Sequence, residues 1–461
     1  MKKVVRSLSG IVPLSVMLKP YPCKHGKCIY CPAQENVPES YTKTSPVVLR
    51  AVACDYDPER QVKARLKIFG LMGHPTDKIE LIIMGGTFSN YPLDYQKEFI
   101  KKCFDGANGI VSKDLEEAQR TNETAKNRIV ALCLETRPDF INKDTINQML
   151  EYGCTRVEIG VQTLDDDIHK IINRGHTIED AIHATQLLKD AGFKVYFHMM
   201  IGLPGSTPEK DIEMFKTLFS DERFQPDGIK IYPTFVIKGT KLEEMYRKGN
   251  YKPYSAEQIV DIIVEIKKTI PKHIRIMRIM RDIPAEYIAS ECVYSHLRDE
   301  IQAKLKEINV KCRCIRCREI GYFLNKGGEV DINNIKLNRI NYDASGGKEI
   351  FLSYEDVKND TIVSLLRLRI LHESFRKEIT NKTTIIREVH TYGRLTPINN
   401  LPDKNQLQHR GFGKMLIKEA ERISREEFGC NKMIVISGVG VREYFYKLGY
   451  KLDGPYVSKK L

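Results

Sequence analysis

The 461-residue chain lacks any apolar run near the ~18 uninterrupted residues a membrane span needs, which excludes a helical membrane protein. No export signal is expected either. Met1 to Leu18 turns from basic to apolar, but Pro13 and Ser15 break the run, Lys19 follows, and there is no small-residue cleavage site. Without that signal the twelve cysteines are expected in a reducing, cytoplasmic setting, where clustered thiols are metal ligands and a secreted disulfide scaffold is excluded. Internal repeats and low-complexity tracts are missing too. What is present, 42% hydrophobic and 29% charged residues, is the composition of an ordinary globular protein, and the length suggests about three domains.

The net charge of +13 is unevenly spread. Residues 1–65 hold 11 basic against 5 acidic residues. Lys267 to Arg281 carries Lys267, Lys268, Lys272, Arg275, Arg278 and Arg281 with no acid, and Lys311 to Arg318 adds four more basic residues. Such runs suit a polyanion, because phosphates bind by counterion release, and equally suit a solvated surface.

Through residue 280, short β-branched runs alternate with amphipathic stretches, the pattern of repeated βα units. Strands are expected at Leu14–Lys19, Ile79–Met84, Ile129–Glu135, Arg156–Val161, Lys194–Met199, Gly228–Tyr232 and Arg275–Ile279, with a helix from Thr177 to Ala191 ended by Gly192. This predicts an α/β fold, a partial or full barrel or an open parallel sheet, with its chemistry at the strand C-terminal ends. After Arg318, antiparallel strands are expected around Ser345-Gly346-Gly347. A helix Phe412–Phe428, a strand Met433–Ser437 and a short helix Val441–Leu448 follow. The expected domains are 1–285, a linker 286–320, and 321–461.

Three constellations carry chemistry. Cys23, Cys28 and Cys31 follow the first strand on a loop with Gly26. Three converging thiolates suit a cubane cluster with one iron left open, or a zinc completed by His25 or a distant residue. Cys312, Cys314 and Cys317 crowd three soft ligands, and tetrahedral zinc needs one more, for which His296 is preferred over Cys292. Gln408-His409-Arg410-Gly411-Phe412-Gly413 opens a helix whose N–H groups, dipole and Arg410 suit a pyrophosphate. Beyond it, Val441, Tyr444, Phe445 and Leu448 fall at the spacing of a buried stripe, which makes Tyr444 a core residue on pattern alone.

With Met84-Gly85-Gly86-Thr87-Phe88, Glu135-Thr-Arg-Pro-Asp139 and Gly160-Val161-Gln162 each ending a strand, the first triad resembles the radical S-adenosylmethionine enzymes. Their usual Cys-x3-Cys-x2-Cys spacing is here one residue longer in the first gap, a change in loop shape. The glycine turn at 411–413 resembles the acetyl-coenzyme A loop of Gcn5-related N-acetyltransferases. Together with Tyr152-Gly-Cys-Thr-Arg156, Asn173-Arg-Gly-His-Thr177, Arg281-Asp-Ile-Pro284, Ile436-Ser-Gly-Val-Gly440 and Gly454-Pro-Tyr456, nearly the whole chain resembles the family of Elongator catalytic subunits, in an archaeal-like form.

The resemblance implies a radical S-adenosylmethionine barrel, a zinc linker and an acetyltransferase domain. It implies a 4Fe-4S cluster on Cys23, Cys28 and Cys31, and S-adenosylmethionine near Gly85, Gly86, Glu135, Gln162, Arg174 and Lys230. Acetyl-coenzyme A is expected on Lys78, Arg387, Glu388, Val389, His390, Gln408, Arg410, Gly411, Phe412, Gly413 and Tyr444, with Tyr444 catalytic because Phe445 carries no phenol. The implied reaction takes a hydrogen from the acetyl methyl group, joins that carbon to C5 of the wobble uridine, and ends in thioester hydrolysis to 5-carboxymethyluridine. The partner is the transfer RNA anticodon stem-loop, held by the basic patches, with the two cofactor faces opposed across a basic cleft. The base must leave its stack to be reached. The family's basic N-terminal extension has no counterpart ahead of the first strand, so weakened RNA binding is expected; homodimerisation stays open. The rival readings are a protein lysine acetyltransferase using Glu388 or Glu443 as base, and a non-catalytic RNA-binding module.

Overall fold

The computed structural model describes residues 7–290, 297–371, 374–398, 400 and 406–461, and builds them around two seven-stranded sheets. The first is all parallel with its strands in chain order: β1 (Val12–Met17), β2 (Lys78–Met84), β3 (Arg128–Thr136), β4 (Arg156–Gln162), β5 (Lys194–Ile201), β6 (Gly228–Pro233) and β7 (Arg275–Ile279). β1 and β7 remain its edges, so the barrel is partial. Lys230 on β6 nevertheless reaches Glu135 on β3, at 3.2 Å, a contact only a sheet curled about its inner face permits.

Local chemistry sets the element boundaries. The helix Ile178–Asp190 begins at a reciprocal cap between Thr177 and Asp180, and Gly192 behind it adopts the left-handed φ of +95°. The outer face of the half-barrel is covered by such helices and packed with Val, Ile, Leu and Phe. Its inner face is charged, bearing Glu80, Glu135, Arg156, Glu158, Lys194, His198 and Lys230 rather than the branched apolar side chains that fill a closed barrel.

The second sheet is mixed, in the spatial order Lys451–Asp453, Tyr456–Lys460, Lys432–Val435, Thr383–Thr391, Thr361–Ile370, Gly347–Asp356 and Ile335–Ala344. The hairpin β8 (Ile335–Ala344) to β9 (Gly347–Asp356) turns at Ser345-Gly346, both with positive φ as a type I′ turn requires. β10 (Thr361–Ile370) and β11 (Thr383–Thr391) follow, then the helix Phe412–Glu426, β12 (Lys432–Val435), a short helix Arg442–Tyr446, and the closing strands β13 (Lys451–Asp453) and β14 (Tyr456–Lys460). Leu416, Ile417, Ala420 and Ile423 pack the long helix onto one face of the sheet. The other face meets the N-terminal ends of the barrel strands.

That junction is ionic. Arg387 donates to Asp227 at 2.6 and 2.7 Å and to Glu349 at 2.9 Å, while Arg369 pairs with Glu349 and Asp190. All of these side chains but Asp190 are fully buried. Ser7 to Gly10, ahead of β1, also bonds to the second sheet: Leu8 O accepts from Gly393 N and Gly10 O from Gln408 Nε2.

Candidate active site

The loop after β1 carries Cys23, Cys28 and Cys31 to the C-terminal mouth of the half-barrel. Arg174 anchors it there. Its guanidinium donates to Gly160 O at 2.6 Å and approaches Cys28 Sγ at 3.7 Å, and Arg137 Nη1 donates to Arg174 O at 2.7 Å. A side chain at position 160 would overlap Arg174, which is why this strand end is glycine. Ser40 Oγ lies 3.3 Å from Cys31 Sγ, and burial pushes that thiol up to about 12. Burial beside Arg137 and Arg174 lowers His25, 3.5 Å from Cys28, to about 4, leaving it neutral.

Gly85 and Gly86 close β2 at this mouth with φ of +127° and +99°, and a Cβ on Gly85 would press on Leu18. Gln162 ends β4 with φ of +74°. Glu135 faces inward, bonded to Lys230, which also pairs with Glu158; His198 meets Glu158 at 2.7 Å. The structure thus brings Cys23, Cys28, Cys31, Gly85, Gly86, Glu135, Gln162 and Arg174 to one end of one sheet, with Lys230, in the middle of β6, reaching Glu135.

The two cysteine triads differ in spacing, and the difference is chemical. The sulfurs of Cys312, Cys314 and Cys317 all lie within 4.8 Å of one another, as ligands sharing one tetrahedral ion must. Among the described residues Cys23, Cys28 and Cys31 form no such tight group, as suits thiolates that each take a different iron. Lys267 Nζ stands 3.6 Å from Cys317, and Arg298, at the start of the helix Leu297–Glu307, lies close enough to feel Cys314 and Cys317. His296 and Cys292 fall outside the described residues.

The acetyl-coenzyme A candidates gather at the other end of the barrel. Lys78, the first residue of β2, donates to Gln408 at 3.0 Å and meets His409 at 3.2 Å, and burial lowers its ammonium to about 8. Gly411, in the left-handed region, precedes the helix Phe412–Glu426, and Tyr444 Oη lies 3.4 Å from where a Cβ on Gly413 would stand. Phe445 fills the core while Tyr444 stays 39% exposed, so the buried-stripe reading fails for Tyr444. Burial raises its phenol to about 12, keeping it a proton donor at neutral pH.

Several expectations change. Arg387 is spent on Asp227 and Glu349 inside the ionic junction, so its side chain is closed to a ligand. Gln408 bonds to Gly10, Thr391, Lys78 and Thr396 and acts as a stitch between the sheets. Lys78 starts the strand that Gly85 and Gly86 end, so the two candidate sites stand about 20 Å apart along β2 rather than facing across a surface cleft. The 267–281 run is not an open patch either. Lys267 and Arg275 are buried, Arg275 on Glu319, and Arg278 pairs with Asp282; in the second run Arg318 is buried on Glu355 and Asp360. On the loop after β1, which carries the three cysteines, Lys19, Lys24, Lys27 and Lys43 are exposed.

Sequence reading missed Glu158, His198 and Arg137 as site residues. Charged residues two apart on β4, Arg156 and Glu158, were the available signal, since like-facing charges on a buried strand must pair inward.

A parallel half-barrel with three thiols and paired glycines at its C-terminal mouth defines a radical S-adenosylmethionine enzyme. The Radical SAM superfamily profile matches residues 22–218, and that of the Radical_SAM C-terminal domain matches 226–307. That membership implies a 4Fe-4S cluster and S-adenosylmethionine. The tRNA uridine(34) acetyltransferase of Methanocaldococcus jannaschii is 50% identical over 466 residues, covering 100% of this chain and 86% of that protein. The Dehalococcoides mccartyi protein of the same name is 49% identical over 467 residues, with 100% of both chains covered. Elongator complex protein 3 of Saccharomyces cerevisiae is 43% identical, covering 100% of this chain and 84% of its own. The solved structure of archaeal Methanocaldococcus infernus Elp3 with an N-terminal deletion (1–46) superposes with a TM-score of 0.88 at 47% identity, over 98% of this chain and 100% of that one. The chain belongs to the family of tRNA uridine(34) acetyltransferases and Elongator complex protein 3. No helix among the described residues is long and apolar enough to cross a membrane.

Proposed function

We propose that this protein modifies uridine 34, the wobble base of transfer RNA, to 5-carboxymethyluridine, using S-adenosylmethionine and acetyl-coenzyme A. The observation that carries this reading is the pairing, in one chain, of a three-thiol mouth with a glycine turn and phenol at the opposite strand ends. Family membership supports the substrate.

Cys23, Cys28 and Cys31 would hold the cluster and leave one iron for S-adenosylmethionine. The arginine beside Cys28 would offset the charge of the thiolates. Gly85 and Gly86 would let the methionine portion approach main chain, with Glu135, held by Lys230, beside it. When bound, the cluster and S-adenosylmethionine supply hydrogen-atom abstraction from an unactivated carbon, here the acetyl methyl group. Lys19, Lys24, Lys27 and Lys43 would collect the anticodon phosphates around the mouth.

At the other end, Lys78 and the first N–H groups of the helix Phe412–Glu426 would hold the pyrophosphate, and Tyr444 would offer its proton to the departing thiolate. Arg410 is a further contact of that turn. Glu388 and Val389 would present main chain to the pantetheine. Cys312, Cys314 and Cys317 would hold a structural zinc, with His296 as fourth ligand.

The lysine acetyltransferase reading is less well supported: its two candidate bases are each committed to a cation, Glu388 to Lys194 and Arg367 and Glu443 to Arg128.

The test is nucleoside mass spectrometry of bulk transfer RNA after anaerobic incubation with reconstituted protein, S-adenosylmethionine, reductant and acetyl-coenzyme A. New 5-carboxymethyluridine, absent with Cys28→Ala, is expected. Its absence with a fully loaded cluster, alongside acetylation of protein lysines, would overturn the reading.

A further inference from the structure

The reaction proposed above ends in hydrolysis of a thioester, and none of the residues given a role so far activates water. The second sheet contains a side chain built for that task.

β11 and β12 pair for only four residues, from Thr383↔Lys432 to Ile386↔Val435, and then part. Beyond that point Gly438 and Gly440 turn away to lie on the backbone of Val130 and Ile129 in the barrel. β11 runs on to Thr391 with β10 on one side and, among the described residues, no strand neighbour on the other. The register shift beside Arg367 makes Arg387 the extra residue of a bulge, so Arg387 and Glu388 both turn to the barrel while Val389 turns toward Gly413. The edge at Glu388 and Val389 is therefore left without β12 beside the glycine turn and Tyr444, where an extended amide-bearing ligand can pair, while farther along Thr391 O accepts from Gln408 Nε2.

His390 stands on this edge. Its Nε2 donates to the main-chain oxygen of Ser9 at 2.7 Å, and its ring stacks on Tyr392 with centroids 4.3 Å apart. A carbonyl can only accept, so the ring proton belongs to Nε2 and the lone pair to Nδ1. Among the described residues Nδ1 has no hydrogen-bond partner, and the residue is only partly covered. An imidazole with one nitrogen fixed by a carbonyl and the other left open is oriented to accept a proton.

We propose that His390 is the general base that hydrolyses the acyl thioester, with the Ser9 carbonyl fixing its tautomer. The inference rests on acetyl-coenzyme A being the acyl donor. In the step, Nδ1 takes a proton from water as the water oxygen bonds to the thioester carbonyl carbon. The carbon–sulfur bond then breaks, the thiolate leaves as the thiol with a proton from Tyr444 or the imidazolium, and the acid ionises. One water is consumed, one carboxylate and one thiol are formed, and no electrons move between groups.

Several charges face this ring: Glu388 of its own strand, Lys194 of β5, Glu80 of β2, and Glu319. Burial and Lys194 lower its proton affinity, and the Ser9 carbonyl, Glu388 and Glu319 oppose them; the net direction is down. The neutral, basic form accordingly persists below pH 6.5, and hydrolysis should fail only under more acid conditions.

The experiment uses the full chain with transfer RNA, measuring acetyl-coenzyme A binding by calorimetry and thiol release with a chromogenic reagent across pH 5–8. His390→Gln retains a donor for Ser9 and has no basic lone pair. With acetyl-coenzyme A saturating the variant by its own calorimetric constant, thiol release should fall on the order of 10²-fold and its acid limb should disappear. Lys194→Met, which leaves the imidazole in place, should move the acid limb to higher pH. Undiminished release by His390→Gln, or an acid limb that Lys194→Met leaves unmoved, would overturn the assignment while leaving the acyl donor intact. No binding of acetyl-coenzyme A by the unmodified protein would overturn the donor and the base together.

Discussion

Arg387 separates what the chain resembles from what its structure does, and Arg387→Met puts a number on it. The guanidinium makes five hydrogen bonds, to Glu349, Asp227 and the Phe193 carbonyl, and neither it nor the two carboxylates is exposed. Removing one partner of a buried ion pair costs about 3–5 kcal/mol, because the remaining charge stays buried. Here Asp227 keeps the Val195 N–H at 2.8 Å and Arg367 at 3.5 Å, and Glu349 keeps Arg369 at 3.0 Å, which argues for the lower end. About 3 kcal/mol is a factor of roughly 10² in the ratio of folded to unfolded chains. The chain has no tryptophan, so equilibrium denaturation followed by far-ultraviolet circular dichroism is the suitable assay. The variant should unfold at clearly lower denaturant, and the folded fraction should bind acetyl-coenzyme A as the unmodified protein does. A variant within about 1 kcal/mol of the parent that had lost acetyl-coenzyme A affinity would refute the reasoning and return the side chain to the ligand.

Three other outcomes are expected. Gly160→Ala, whose methyl group meets Arg174, should weaken S-adenosylmethionine binding roughly tenfold with cluster iron retained, whereas Cys28→Ala should lose the iron; equal iron loss in both would contradict separate roles. Cys314→Ser should take bound zinc from about one per chain to near zero by elemental analysis and expose the 297–320 segment to protease. Glu388 is held at about 2 against an ordinary value near 4.3, so its contribution to stability is complete above pH ~4.3 and is lost as the pH falls toward 2. Glu388→Gln should flatten stability across that interval, and an unchanged acid dependence would place the proton uptake elsewhere.

The barrel was legible because each strand is a short β-branched run between helical stretches, with period and turn chemistry in agreement. Expected and observed starts coincide for β4, β5, β6 and β7 and lie within a residue for β2 and β3. β1 begins two residues earlier than expected because Pro13 does not interrupt an edge strand whose N–H need not pair. β10 and β11 escaped notice. They lie between the long helix and the barrel, so neither face is solvated, and Arg367, Arg369 and Arg387 interrupt the apolar pattern without reaching water.

The sequence by itself determined the thiol triads, the paired glycines, the helix-opening glycine turn and the order of strands, since each is a matter of residue type at fixed spacing. Only the tertiary structure decided which charges were surface and which were core. Burial makes an arginine seek a carboxylate from a distant strand, so Arg275, Arg318 and Arg387 turn inward and leave the lysines of the cysteine loop outside. The same folding set the two half-sites at opposite ends of β2 and left His390 with one nitrogen tied to Ser9 and the other open. A linear chain specifies neither, because both arise where the second sheet meets the ends of the first.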